Sequence, residues 1–227
     1  MTNSLRSFKP RLDILPAAQR RLWPELGKTP DHFTLYGGTA LALRLAHRKS
    51  ADFDFFSNEP IAGQTLLETV GYLRRAKIRQ LSPNTLTCSV QRSGAVRLSY
   101  FGGLSIGCVD PPEGAIGPMI KVASLRDIAA TKLSVIMQRV EVKDYIDIHA
   151  LLTQSRLPLA EMLGCGRSVF GAAFDPLLSL KSLTYHEDAA LASLRPSVRS
   201  DLLTAIRATN VTRLPKVKLW RTRRRLA

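Results

Sequence analysis

The chain has 227 residues, 45% hydrophobic and 22% charged, enough to bury a core without disulfides; disordered, collagen-like and coiled-coil readings are excluded for most of its length. Thirty-three Lys and Arg stand against eighteen Asp and Glu, and the net +15 at pH 7 favours a polyanionic partner, either nucleic acid or an anionic membrane surface. Cys88, Cys108 and Cys165 are widely spaced, with no CxxC pair and no histidine cluster, which argues against a disulfide framework or a zinc site.

In chain order, residues 1–30 read as a basic helical lead-in on Leu12, Leu15, Ala18 and Leu22, with Pro24 near its end. No signal-peptide core and no apolar run of ~18 residues follows, so a cytoplasmic protein with free thiols, not a membrane protein, is expected. Phe33, Leu35 and Tyr36 form a short strand that stops at Gly37-Gly38, and Thr39–His47 is rich in helix formers. Asp52–Phe56 alternates as a strand with carboxylates on one face and aromatics on the other. Residues 64–78 read as an amphipathic helix on Leu66, Leu67, Val70 and Leu73. Thr85–Val109 reads as two or three antiparallel strands, and Asp110-Pro-Pro-Glu-Gly as a loop. Helices are then expected over 124–139, with a Ser-x-x-Asp capping signature, over 142–154, and further on between about 158 and 210. From Arg213 to Arg225, seven of thirteen residues are Lys or Arg and none is acidic.

Four features carry chemistry. Gly37-Gly38-Thr39 at a strand-to-helix turn lets backbone approach a phosphate at the positive end of a helix, with Thr39 available to cap that helix and to donate its hydroxyl. Asp52 and Asp54, two apart on a strand, share a face and can hold hard cations such as Mg²⁺; the bland alternative is a solvated edge strand. Lys132 sits in the apolar stripe of its helix, flanked by Ile128, Ala129, Val135 and Ile136, so it either snorkels from the core edge or reaches a nucleotide phosphate. Asp144 and Asp147 share one side of the next helix, where either serves the site or pairs with Arg139 or Lys143.

The segments FTLYGGTALALRLAHRKSADFDFF, SLRDIAATKLSVIMQR and KDYIDIHALL, in that order, resemble the AbiEii-type nucleotidyltransferases, toxins of type IV toxin–antitoxin pairs within the DNA polymerase beta-like superfamily. The likeness runs from about residue 14 to 190. It implies that Gly37, Gly38 and Thr39 hold nucleotide phosphates, that Asp52 and Asp54 bind divalent metal, and that Lys132 and Asp144 are the motif lysine and downstream acid. Many superfamily members carry a third carboxylate on a later strand. Here VRLSYF offers Ser99 instead, and Asp110 beyond it lies in a loop.

The expected fold is α/β. A nucleotidyltransferase core, a small mixed sheet flanked by helices, spans 1–120, and a helical domain over 121–212 brings Lys132 and Asp144 to the same cleft. A basic tail spans 213–227. The expected reaction is metal-dependent transfer of NMP from NTP to a hydroxyl, on two Mg²⁺ ions, with Arg48 either a second phosphate contact or a surface residue. The charge favours an RNA acceptor, and the resemblance sharpens this to the 3′ end of tRNA; Arg74, Arg75, Lys77, Arg79 and the tail are candidate backbone contacts. The resemblance also implies a cognate antitoxin encoded alongside, a winged-helix DNA-binding protein. Transfer to a small molecule or protein, and a non-catalytic nucleic-acid-binding module, remain alternatives.

Overall fold

A computed structural model describes residues 6–185 and 189–220. The chain divides into two units, one made of residues up to 105 with 112–123, the other of 106–111 with the residues from 124 on. No helix among the described residues is long and apolar enough to cross a membrane.

Among the described residues, the first unit is a mixed sheet with three α-helices. Its strands are β1 (Ser7–Phe8), β2 (Thr34–Tyr36), β3 (Asp52–Phe56), β4 (Lys77–Ser82), β5 (Thr85–Gln91), β6 (Ala95–Phe101), β7 (Glu113–Ala115) and β8 (Lys121–Val122), in the order β1-β7-β8-β2-β3-β6-β5-β4. The helices are α1 (Ala17–Leu22), α2 (Gly37–Leu45) and α3 (Gly63–Thr69). β3 runs antiparallel to β2 and parallel to β6, in a register that sets Asp52 beside Arg97 and Asp54 beside Ser99.

That register is fixed from the opposite face. Phe53 and Phe55 are fully buried, Phe55 stacks on Tyr100 at 5.2 Å, and Phe33 meets the edge of both Phe55 and Tyr100. The Tyr100 hydroxyl is tied to Tyr72 at 2.7 Å, and Tyr72 to Thr29 at 2.6 Å. Burial of each Phe ring stabilises by about 1.5–3 kcal/mol. A one-residue slip would send both rings to the outer face and both carboxylates into this core.

Two expected helices are replaced. The lead-in over 1–30 is broken into α1 and a 3-10 turn at Trp23–Lys28, because Pro16, Pro24 and Gly27 interrupt it; Ser7 and Phe8 pair instead with Gly114 and Ala115. The helix expected over 64–78 stops at Thr69, followed by a 3-10 turn at Gly71–Leu73 and by β4, an edge strand exposed from Lys77 to Leu81.

The second unit is helical: α4 (Leu125–Val135), α5 (Val142–Thr153), α6 (Leu159–Phe170), α7 (Pro176–Thr184) and α8 (Pro196–Arg207). Ser124 caps α4, its hydroxyl oxygen accepting the Asp127 N–H at 3.0 Å. The Asp127 carboxylate accepts the N–H groups of Val109 and Asp110 at 2.7 and 3.2 Å, which secures segment 106–111 to this unit. Burial pushes the Asp127 carboxyl up, opposed by these donors and the Ser124 hydroxyl. The described part of the basic tail packs along α6. Val217 and Leu219 cover Val109, Ala130, Cys165 and Val169, Ser168 donates to the Val217 carbonyl at 2.7 Å, and the Trp220 N–H reaches the Cys108 carbonyl at 2.8 Å. Residues 221–227 of that tail lie outside the described residues.

Candidate active site

In the first unit, the glycine pair and the DxD strand meet. Gly37 has φ +76°, a left-handed conformation that β-carbons resist, and it is the first residue of α2. A β-carbon there would lie 2.8 Å from Asp54 Oδ2. One on Gly38 would lie 2.5 Å from Arg48 Nη2 and 3.0 Å from Ser50 Oγ. The head of α2 is therefore built against the Asp54 carboxylate and the Arg48 guanidinium. Only glycines allow that approach. Arg48 Nη1 also donates to the Lys49 carbonyl at 3.0 Å.

Thr39 corrects the capping expectation. Tyr36, with extended backbone, is the N-cap of α2 and gives no side-chain cap. Thr39 is buried in the first turn, and its hydroxyl donates to the Asp52 carbonyl of β3. It fastens the glycine turn to the carboxylate strand, so the hydroxyl is occupied by backbone.

Asp52 and Asp54 share the face opposite Phe53 and Phe55. The Asp52 carboxylate is paired with Arg97, and that contact raises the guanidinium's pKa above its ordinary value. Sequence reasoning missed Arg97, because only the parallel register of β3 with β6 brings it beside Asp52. The same register puts the buried hydroxyl residue Ser99, rather than a carboxylate, level with Asp54. Among the described residues no group of three or more His, Cys, Asp or Glu converges as a metal cage. Two carboxylates fit Mg²⁺ in its usual protein setting, where one or two acids hold the ion and substrate phosphates complete the shell.

In the second unit, Lys132 and Asp144 come together as an ion cluster. Lys132 is 6% exposed and Asp144 and Asp147 are fully buried. The Lys132 ammonium lies 2.8 Å from Asp144 Oδ1 and 2.6 Å from Asp147 Oδ2, and Arg139 Nε reaches Asp144 Oδ2 at 3.1 Å. Two carboxylates and two cations balance in charge. The lysine neither snorkels nor stands alone: its amine is oriented by α5, whose i, i+3 spacing presents both acids on one side. Asp110, the alternative third acid, pairs with Arg126 at 3.2 Å.

Comparison with known proteins covers most of the chain. Residues 25–202 match the family model described as nucleotidyl transferase AbiEii toxin, type IV TA system. An uncharacterised protein of Aquifex aeolicus (strain VF5) is 31% identical over 161 residues, 70% of this chain and 76% of that protein. A crystal structure from H. pylori, described as a candidate nucleotidyltransferase, has a TM-score of 0.51 at 18% identity over 84% of this chain and 91% of its own, a likeness of fold. MenT4, a nucleotidyltransferase toxin from Mycobacterium tuberculosis H37Rv, gives 0.42 at 15% identity over 84% and 90%.

Proposed function

Because the chain belongs to the AbiEii nucleotidyltransferase toxin family of type IV toxin–antitoxin systems, we propose that it transfers NMP from an NTP to the 3′ end of an RNA, with tRNA as the favoured acceptor. The observation that carries this reading is the approach of the α2 head to the carboxylate face of β3: Gly37 against Asp54, Gly38 against Arg48, and Thr39 bonded to the Asp52 backbone.

In the proposed reaction the acceptor 3′ oxygen attacks the α-phosphorus of the NTP. The bond to the bridging oxygen of the β-phosphate breaks, and pyrophosphate leaves. Mg²⁺ held by Asp52 and Asp54 would neutralise phosphate charge and lower the pKa of the attacking hydroxyl. The rest is positioning, which dominates phosphoryl transfer. Gly37 and Gly38 admit the phosphates close to backbone, Arg48 adds a cation beside them, and Thr39 holds α2 on β3. Lys132 and Asp144 keep the roles the family motif implies: Lys132 is the phosphate cation, and Asp144, with Asp147, orients its amine. With Ser99 in place of a third acid, Asp52 and Asp54 share the whole metal load in this proposal.

The acceptor is inferred from charge. A small-molecule acceptor has no use for a net +15, whereas an RNA is attracted by it in a salt-dependent way. The family implies an antitoxin as genetic partner, and the cytoplasm, where NTP and tRNA meet, is the proposed location. Incubating the protein with each α-labelled NTP, Mg²⁺, total RNA and total protein tests the reading. Label in RNA of tRNA size is expected, and label in protein or in small molecules alone would replace it.

A further inference from the structure

Beyond β3, on the side away from β2 and α2, the sheet continues through β6 and β5 to its open edge at β4. Between that edge and Asp52 lies a cavity of about 320 Å³ lined by Ala51, Asp52, Arg79, Ser89, Ala95 and Arg97. The register explains this lining: Asp52, Arg97, Ser89 and Lys77 stand level on four successive strands. The β4–β5 pairing then shifts between Ile78 and Gln80, leaving Arg79 as the extra residue. A bulge of this kind re-aims a side chain, and here that side chain lines the cavity.

The lining charges are one carboxylate and two guanidiniums, which sum to +1. Arg97 is already paired with Asp52. Among the described residues, Arg79 has no side-chain hydrogen bond or ion pair, and the same holds for the exposed Arg74, Arg75 and Lys77 that lead into it. A net +1 suits a singly charged phosphodiester. It suits a triphosphate poorly, and the glycine turn proposed for the triphosphate stands on the other side of β3. Attack in line with the leaving group needs the acceptor on the side of the carboxylates opposite the pyrophosphate.

We infer that this cavity is the acceptor subsite: it takes a backbone phosphodiester next to the terminal nucleotide of the RNA, with Arg79 as its principal cation and Arg97 shared between that phosphate and Asp52. Arg74, Arg75 and Lys77 track the phosphates that follow along the edge. The inference rests on the RNA-acceptor reading of the site, yet it can fail separately from it.

The test measures binding and transfer apart. Anisotropy of a 5′-fluorescein single-stranded RNA with a free 3′ hydroxyl, without NTP, is followed against salt for the wild type, Arg79→Glu, Arg79→Lys and Arg74→Glu/Arg75→Glu. Arg79→Glu is expected to weaken binding roughly tenfold at ~0.1 M salt and to flatten the log–log salt slope by about one, with Arg79→Lys close to wild type. The double variant weakens binding in the same sense. KM for RNA rises in Arg79→Glu while KM for NTP and the melting temperature stay put. Unchanged RNA affinity and salt slope in Arg79→Glu would overturn the subsite, as would a rise confined to the KM for NTP. RNA binding that depends on Arg79 without any nucleotide transfer would support the subsite and sink the proposed reaction. Transfer with an unchanged KM for RNA would do the reverse.

Discussion

Replacing Lys132 by Met tests whether the buried ion cluster of α4 and α5 is a structural unit in its own right. Met keeps the length of the side chain and removes the ammonium that lies 2.8 and 2.6 Å from the Asp144 and Asp147 carboxylates, both fully buried. Two anions then stand beside the guanidinium of Arg139, whose Nε lies 3.1 Å from Asp144 Oδ2 and whose Nη1 is also drawn to Glu141 at 3.2 Å. Breaking a buried pair by removing one partner costs about 3–5 kcal/mol, because a charge is left uncompensated away from water. At roughly 2–4 °C per kcal/mol for a chain of this size, the melting temperature should fall by about 6–20 °C. Urea unfolding and calorimetry read that loss directly. The triple variant Lys132→Met/Asp144→Asn/Asp147→Asn carries no uncompensated charge and should recover most of it. A single variant within about 1 kcal/mol of wild type, or a triple variant no better than the single, would refute the reasoning. The magnitude also matters for chemistry. Loss of transfer in Lys132→Met is evidence for a phosphate contact only when measured well below its lowered melting temperature.

Three further outcomes follow from other parts of the fold. Burial pushes the Cys88 and Cys165 thiols up to about 11, whereas Cys108 is only half-buried. Iodoacetamide at pH 8 should therefore label Cys108 first in the native protein, as mass spectrometry of digests would show; equal rates at all three would contradict the packing. Arg92 grips Glu25 with two hydrogen bonds, 2.6 and 2.8 Å, and holds its carboxyl below the ordinary value of 4.5. Because the folded pKa is the lower one, this stabilisation is present above pH 4.5 and is lost as pH falls below it. With the Glu25 side chain 37% exposed the contribution is under about 1 kcal/mol, so Glu25→Gln should lower stability at neutral pH by less than that, and its difference from wild type should vanish well below pH 4.5. Gly38→Ala should preserve or slightly raise stability, since alanine is the better helix former, yet its β-carbon displaces Arg48 and Ser50. A roughly tenfold rise in the KM for NTP is expected from the displaced charged contact, and an unchanged KM would remove Arg48 from the phosphate site.

The parts of the site written in local sequence were readable. Strand, glycine pair and helix occur as Thr34–Tyr36 followed by Gly37–Leu45, and the alternation of DFDFF put both aspartates opposite two buried rings. Ser124 and Asp127 announced the start of α4, although the Asp127 carboxylate turned to the backbone of Val109 and Asp110. What depended on long-range pairing was hidden. Arg97 reaches Asp52 only through a parallel register between strands more than forty residues apart, and β1 pairs with β7 across the length of the first unit. The first two residues of β4, Lys77 and Ile78, read as the end of a helix because an edge strand exposed on both faces has no alternation to betray it. Thr39 carried a plausible phosphate hydroxyl, and no local pattern could tell that the Asp52 carbonyl would take it. The partners of Lys132 were nearer to hand, since Asp144 and Asp147 lie on one side of the following helix, but a single helix wheel does not show what faces it.

The carboxylate face of β3 is the centre of the proposed chemistry, and Asp54→Asn probes it at the carboxylate that the head of α2 is built against. With α-labelled NTP, RNA acceptor and a Mg²⁺ titration, the variant should lose transfer by at least about a hundredfold, with its melting temperature and RNA affinity kept. Transfer at the wild-type rate and with the wild-type Mg²⁺ dependence in Asp54→Asn would contradict the account.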